Sequence, residues 1–304
     1  MTTQKIVLVT FTYDQGDILK DYIEWHLDLG VDLVIGRDHG SSDNTHEIID
    51  FFAANGKVEW GAVPERNLVK FNENQFVRTV IDRHSPDWII MCDADEFLCT
   101  EQRDLRSLLA RAQQEDLTVI SVPCVNMTGP YGSSTASATQ THTLRIDQPV
   151  RETHAQQLFG NLPVPYIFIQ HPPKTITWAS AFTAYEPGSH GAKTDRGKSG
   201  EIPELQFLHY PIRGFETFQT KVRNTEAYLR DNPHLQSWPE WGWHWRRWIR
   251  LNEQGLLREE YEGQFVSPER ARELVRDGIC TVDETVADWT KQKGSASGLR
   301  SQGV

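Results

Sequence analysis

The chain has 304 residues, 38% hydrophobic and 24% charged, with a formal net charge of −11. That length supports an ample core without metal or disulfide staples, and a sequence pI near 5.5 argues against a nucleic-acid partner drawn in by long-range attraction. Four cysteines without CxxC spacing read as reduced thiols, and no run reaches the ~18 apolar residues of a membrane span, so the expected setting is the cytoplasm, with peripheral inner-membrane contact left open.

Taken in chain order, residues 5–11 are apolar and β-branched and read as a buried strand. Residues 17–29 place Ile18, Tyr22, Trp25 and Leu29 at helical spacing, and Gly30 stops them. Residues 32–36 read as a second strand, 44–54 as a helix, 58–60 as a third strand, 66–84 as a longer helix, and 88–92 as a fourth strand. A helix over 103–114 and a strand over 119–122 follow. Repeated β-α-β units predict an α/β fold with a mostly parallel sheet, helices on both faces, and ligands beyond the carboxyl ends of its strands. Past Pro123 the pattern loosens: 127–143 reads as a mobile loop, and 166–170, 182–185 and 205–210 read as short strands. After Pro211 the chain reads as helical, over 215–229, 239–252 and 268–276.

Two loops carry chemistry. "MCDADEF", residues 91–97, puts Asp93, Asp95 and Glu96 at the end of an apolar strand. Carboxylates this close repel one another and are costly to desolvate, so a metal ion, a basic side chain or solvent must compensate them. If the segment is extended, Asp93 and Asp95 share one side with Ala94 opposite, an arrangement suited to Mg2+ or Mn2+. "RDHGSSDNT", residues 37–45, follows a strand and opens a helix; Ser41, Ser42 or Asp43 can cap it, and Asp38 stands where it can point into the crevice. No phosphate-cradling glycine fingerprint is present.

With DILKDYIEWHLDLG at 17–30, DHGSSDNT at 38–45 and DADEF at 93–97, the first half resembles GT-A glycosyltransferases, similar to the family 2 enzymes and a bacterial branch related to them. The resemblance implies a GT-A fold, a nucleotide-sugar donor (UDP above others) and a Mn2+ or Mg2+ ion. By position it implies that Thr10, Phe11 and Tyr13 line the base, that Asp38 contacts uracil or ribose, and that Asp93 lies near ribose or metal. Asp95 is implied as a metal ligand. His39 stands where family 2 chains usually carry the second Asp of DDGS, and TYDQGD replaces their usual Asn-Glu. The second half resembles the same branch more loosely, through PGSHGAK at 187–193 and LHYPIRGFETFQTKV at 208–222. There it implies His190 or His209 as a late metal ligand, and Lys193, Arg213 and Lys221 as holders of the leaving diphosphate. An inverting mechanism needs a carboxylate base, for which Glu152, Glu186 and Asp195 are the candidates.

"SWPEWGWHWRRWIRL", 237–251, holds five tryptophans, with Trp238, Trp241, Trp245 and Trp248 on one helical stripe. The stripe reads as a packed helix, as an acceptor platform using Trp241 and Trp245, or as a lipid-surface element with Arg246, Arg247 and Arg250. The expected organisation is a GT-A domain over 1–211 (nucleotide-sugar half 1–125, acceptor half 126–211), a helical extension over 212–289 and a disordered tail over 290–304. The expected activity is metal-dependent transfer of a sugar to a hydroxyl of a surface polysaccharide or glycolipid intermediate. The rivals are a non-catalytic nucleotide-sugar or glycan-binding module and a sugar-nucleotide nucleotidyltransferase.

Overall fold

The computed structural model describes residues 4–62, 72–130, 137–151, 164–237 and 242–300, with the backbone alone at 236–237 and 294–300. They form two compact units: Met1–Cys124 with His171–His209, and Val125–Gln170 with Tyr210–Val304.

The first unit is built as β1 (Ile6–Thr12), α1 (Leu19–Leu29), β2 (Leu33–Asp38), α2 (Thr45–Ala53), β3 (Val58–Ala62), α3 (Glu73–His84), β4 (Trp88–Met91), β5 (Glu96–Thr100), α4 (Leu105–Gln114) and β6 (Leu117–Val122). The chain then leaves through β7 (Cys124–Thr128) and β8 (Leu144–Ile146) and returns with β9 (Lys174–Trp178), β10 (Phe182–Tyr185), β11 (Ala192–Thr194), β12 (Lys198–Glu201) and β13 (Leu205–His209). The main sheet runs β12-β6-β9-β4-β1-β2-β3. β4, β1, β2 and β3 are mutually parallel, as are β12 and β6, while β9 lies antiparallel between β6 and β4. The fold is α/β with a mostly parallel sheet, as the alternating pattern predicts. Ile6, Val7, Leu8 and Val9 in β1 and Ile89 and Ile90 in β4 are fully buried, the continuous apolar run of a strand covered on both faces.

Two strands differ from expectation. β9 is absent from the sequence reading, although it joins the two halves of the sheet. It opens on a charged residue behind Pro172 and Pro173 and alternates Thr175, Ile176, Thr177, a pattern that resembles a loop edge. β5, read as a motif lip, pairs antiparallel with β13 from Thr100↔Leu205 to Glu96↔His209. Residues 166–170, expected as a strand, are instead a 3-10 turn, Tyr166–Phe168.

The Trp25-His26 pair of the first motif has a structural job. Trp25 Nε1 donates to the Leu98 carbonyl at 2.8 Å, and His26 Nε2 accepts from the Leu98 N–H at 3.2 Å. His26 Nδ1 lies 2.8 Å from the Tyr22 carbonyl, so the ring is neutral with its proton on Nδ1. Two side chains of α1 thus satisfy both backbone groups of one residue in β5, the strand that follows DADE.

In the second unit β7, β8 and β14 (Cys280–Val282) pair antiparallel. The segment expected as a mobile loop, 127–143, holds the end of β7 and a short helix, Ala138–Thr141; residues 131–136 lie outside those described. Helices Phe215–Asp231, Trp243–Glu253, Leu257–Glu262 and Pro268–Arg276 pack around Phe218, Val222, Trp248, Leu257 and Leu274. The helix Thr285–Arg300 continues into the segment expected as a tail, of which 301–304 lie outside the described residues. Trp243 and Trp248 are buried, and Trp245 packs against the same core with its ring 5.1 Å from that of Trp248. Arg247 is buried and paired with Glu260 at 2.8 Å. The described part of the stripe thus packs on the core, with Trp248 buried and Trp245 partly so, and buried Arg247 is paired inside rather than presented to a lipid surface. Trp238 and Trp241 lie outside the described residues. No helix among the described residues is long and apolar enough to cross a membrane.

Candidate active site

In the first unit β2 and β3 lie to one side of β1 and β4 to the other. The sheet's order of connection therefore reverses between β1 and β4, the place where open α/β sheets leave a crevice at the carboxyl ends of their strands. The motif loops after β1, β2 and β4 all belong to that edge.

The first two loops are laced together. Ser41 Oγ accepts from the Asp14 N–H at 2.8 Å, and Asp14 Oδ1 accepts from the Ser42 N–H at 2.6 Å. Asp43 Oδ2 accepts from the Gly16 N–H at 2.8 Å and Thr45 Oγ1 from the Gln15 N–H at 3.1 Å. Gly16 packs against the Asn44 and Asp43 side chains, which would have to move to admit a Cβ. Asp38, only 1% exposed, accepts from the N–H groups of Gly40 (3.1 Å) and Ser41 (3.0 Å) and from Ser41 Oγ, and lies 3.2 Å from His46 Nε2. Its oxygens thus serve the turn after β2, and Thr12 Oγ1 of β1 also lies 3.5 Å from Oδ1; no described contact bears on the base or ribose contact expected of Asp38. What the two loops leave half-buried is aromatic: Phe11, Tyr13 and His39, with the rings of Phe11 and His39 5.9 Å apart. Thr10 points into the core.

The DADE segment is a turn closed by the Glu96 N–H donating to the Asp93 carbonyl at 3.0 Å, not an extended strand end. Asp93 Oδ2 accepts from Lys174 Nζ at 2.8 Å, and Asp95 Oδ1 lies 3.8 Å from His209 Nε2. The compensating charge for Asp93 is thus Lys174, the head of β9, 3% exposed and also donating to the Gly188 carbonyl at 3.1 Å. Glu96 is fully buried, 3.5 Å from Lys174 Nζ, and burial, with Asp93 and Asp95 adding, pushes its carboxyl up to about 8 against the pull of Lys174. Near neutrality Glu96 is mostly protonated, and the ion pair proper is Lys174–Asp93. Burial opposes the Lys174 charge, but the Asp93 carboxylate holds its ammonium above the ordinary lysine range. Truncating one partner of a buried pair costs about 3–5 kcal/mol when a charge is stranded. Here Asp93 is 58% exposed and Glu96 can stay protonated, so Lys174→Met is expected to cost only ~1–2 kcal/mol in denaturant unfolding. A loss above ~3 kcal/mol would show that Glu96 is ionised.

Three histidines gather beside this turn. The rings of His171 and His209 stand 4.3 Å apart and those of His171 and His190 5.9 Å. His171 Nδ1 lies 3.0 Å from the Pro172 carbonyl and His190 Nδ1 3.0 Å from that of Pro173, which leaves each Nε2 as the acceptor. Burial, then Lys174, lowers His171 to about 4 and lowers His190 as well, so both are neutral at pH 7. Cys124 Sγ and one ring nitrogen each of His171 and His209 lie within 4.8 Å of one another. Neutral imidazoles, a thiol and the Asp95 carboxylate are donors that fit a divalent ion.

His190 sits in the β10–β11 hairpin loop, which lies against the start of β9 through Lys174–Gly188 and a Thr175 hydroxyl donating to the Ser189 carbonyl at 3.3 Å. Glu186, exposed, opens that loop. Asp195 lies at the opposite end of the hairpin, exposed and paired with Arg196 at 3.0 Å, and exposed Lys193 pairs its backbone with Ala184 midway. Neither reaches the DADE turn through a described contact, and no contact described for Glu186 does so. Arg213 and Lys221 belong to the second unit; Arg213 is buried and donates to the Tyr210 carbonyl at 3.1 Å. Glu152 lies outside the described residues. Sequence reasoning missed Lys174, His171 and Cys124. It also missed half-buried Glu73 at the start of α3, whose carboxyl is raised by burial and by Asp93. The one available signal was His-Pro-Pro-Lys at 171–174, two ligand-type residues held apart by a rigid pair.

No family model and no curated protein matches the chain. Solved structures similar to it include S. aureus TarS 1–349 in complex with UDP, at 10% identity and a TM-score of 0.39, covering 74% of this chain and 65% of that one. Another is glucosyl-3-phosphoglycerate synthase from Mycobacterium tuberculosis with phosphoglyceric acid, at 14% identity and 0.35, covering 68% and 72%. A third is 4-diphosphocytidyl-2C-methyl-D-erythritol synthase, at 13% and 0.29, covering 45% and 68%. The chain thus spans under two thirds of the TarS fragment's length, and likeness at these scores fixes no activity.

Proposed function

We propose that the chain is a GT-A-type glycosyltransferase that moves a sugar from a nucleoside diphosphate, UDP above others, to the hydroxyl of a glycan or glycolipid. One observation carries this reading: the carboxylate-lysine-histidine cluster occupies the β1–β4 reversal of a mostly parallel sheet, beside half-buried aromatics. On this reading Phe11, Tyr13 and His39 stack on the base. Asp95 and His209 hold a divalent ion, which when bound neutralises charge on the departing diphosphate. Lys174 adds a fixed ammonium at the same place, and Asp93 keeps it oriented. The acceptor oxygen attacks the anomeric carbon, the bond from that carbon to the diphosphate oxygen breaks, and Glu186 takes the hydroxyl proton.

A melting screen with nucleoside diphosphates and divalent cations tests the reading. Ligand at a hundred times its Kd stabilises by ~2.7 kcal/mol, which for a chain of this size raises Tm by roughly 5–10 °C. UDP with a divalent cation is expected to give such a shift, and chelator to remove it. A screen in which no nucleoside diphosphate moves Tm would overturn the proposal.

A further inference from the structure

The geometry points to Cys124 and His171, with His209 and Asp95, as the ligands of a zinc-class divalent ion, a set of one sulfur, two nitrogens and one oxygen. It deepens the reading above, and rests on it only for the statement that this ion meets a diphosphate. The ligands come from parts of the first unit that the sheet already fixes. Cys124 ends that unit's first stretch directly after β6, His171 leads into β9, which pairs with β6, and His209 ends β13, whose Phe207 N–H donates to the Pro123 carbonyl at 2.8 Å. The scaffold, rather than a flexible loop, brings sulfur and imidazoles within 4.8 Å of one another. Four donors bonded at about 2.0–2.3 Å stand roughly 3.3–3.8 Å apart in a tetrahedron, so drawing the sulfur and the two ring nitrogens onto one ion needs shifts of about 1 Å. Asp95 Oδ1, 3.8 Å from His209 Nε2, already stands near that separation.

The surroundings are those of a ligand set. His171 gives its Nδ1–H to a backbone carbonyl, the outer contact that fixes a metal-binding tautomer and turns Nε2 toward the ion. The Cys124 thiol points at Glu96 Oε1, 3.7 Å away. When the ion binds, the S–H bond breaks, sulfur keeps the electron pair and the proton passes to the buffer. One thiolate and one carboxylate then balance the ion's two charges. Sulfur and imidazole donors favour zinc-class ions over Mg2+, whose preference is for oxygen. This set therefore departs from the Mn2+ or Mg2+ that the resemblance implies.

The test uses the full chain after chelator treatment, titrated with Co2+ as a spectroscopic probe and then with Zn2+. The expected result is a near-ultraviolet sulfur-to-cobalt absorption with strong visible bands, removed by equimolar Zn2+ and not by a thousandfold excess of Mg2+. Cys124→Ser is expected to abolish the near-ultraviolet band and His171→Gln to weaken Zn2+ binding about 10–100-fold, while the Cys99→Ser control keeps the band. Bound Co2+ without the band, or a band that survives Cys124→Ser, overturns the assignment. Should Cys124→Ser not fold, X-ray absorption on the zinc-loaded wild-type chain decides, and absence of a sulfur neighbour overturns it. A sulfur-ligated ion with no nucleotide-dependent Tm shift would remove the transferase reading and leave this site standing. A UDP shift with Mg2+ and no cobalt–sulfur band would do the reverse.

Discussion

Asp95→Ala is expected to lower cation-dependent release of UDP from its sugar donor about 1000-fold while moving the melting temperature by only a few degrees. Asp95 lies on the turn that follows β4, with its side chain 10% exposed and Oδ1 3.8 Å from His209 Nε2. A group that fixes charge stabilisation for a departing anion is worth about 10²–10³ in rate, and on the proposed reading this one carboxylate anchors the ion. Its neighbour behaves differently. Asp93 is paired with Lys174 and 58% exposed, so Asp93→Ala frees a lysine rather than removing a ligand, and about tenfold is expected. Single-turnover kinetics of the two variants, with Tm measured alongside, separates the roles. Equal losses would mean that both aspartates hold the ion, and an Asp95→Ala chain retaining a tenth of wild-type rate would remove Asp95 from the chemistry.

The second large effect is on folding. His26→Ala is expected to lower the unfolding free energy by about 4 kcal/mol, combining a buried cavity with a stranded N–H on Leu98. His26→Phe refills the volume and leaves the N–H unpaired, so about half that loss is expected. Acid should act on the same residue. Burial lowers His26 from 6.5 to about 4, so above pH 6.5 the neutral ring contributes its full share of stability. Between pH 6.5 and 4 the unfolded chain binds the extra proton, and stability falls with pH by up to ~3 kcal/mol. Denaturant midpoints over that range should fall less steeply for His26→Phe than for the wild-type chain. Identical slopes would show that His26 carries none of the acid sensitivity.

Much of the parallel half of the sheet could be read in the sequence because its strands are buried on both faces and spell that out as unbroken apolar runs, as in β1 and β4. β9 could not, since a strand that opens with a buried lysine and alternates with threonine carries no apolar run. The motif loops were visible as chemistry-bearing residues, but their partners were not. Asp38 and Asp14 look like crevice carboxylates in one dimension, and only folding shows that Asp38 accepts within its own turn and Asp14 from the Ser42 N–H of the neighbouring loop. Trp25 reads in the sequence only as part of a helix face, and folding shows that it and His26 hold one backbone residue of β5. Cys124, His171 and Lys174 stand 31, 78 and 81 residues from Asp93 of the motif they serve. No local spacing rule spans such distances, whereas the antiparallel return of β9 does.

That return also sets an order for biosynthesis. β6 and β4 each lack their shared neighbour until Trp178 has been made, so two buried-type strand edges stay unpaired while roughly 90 further residues follow Met91. At about 5–20 residues per second this window lasts some 5–20 s on the ribosome. A nascent chain halted at residue 125 would expose both edges, and it is at this stage that the protein would be most dependent on chaperones.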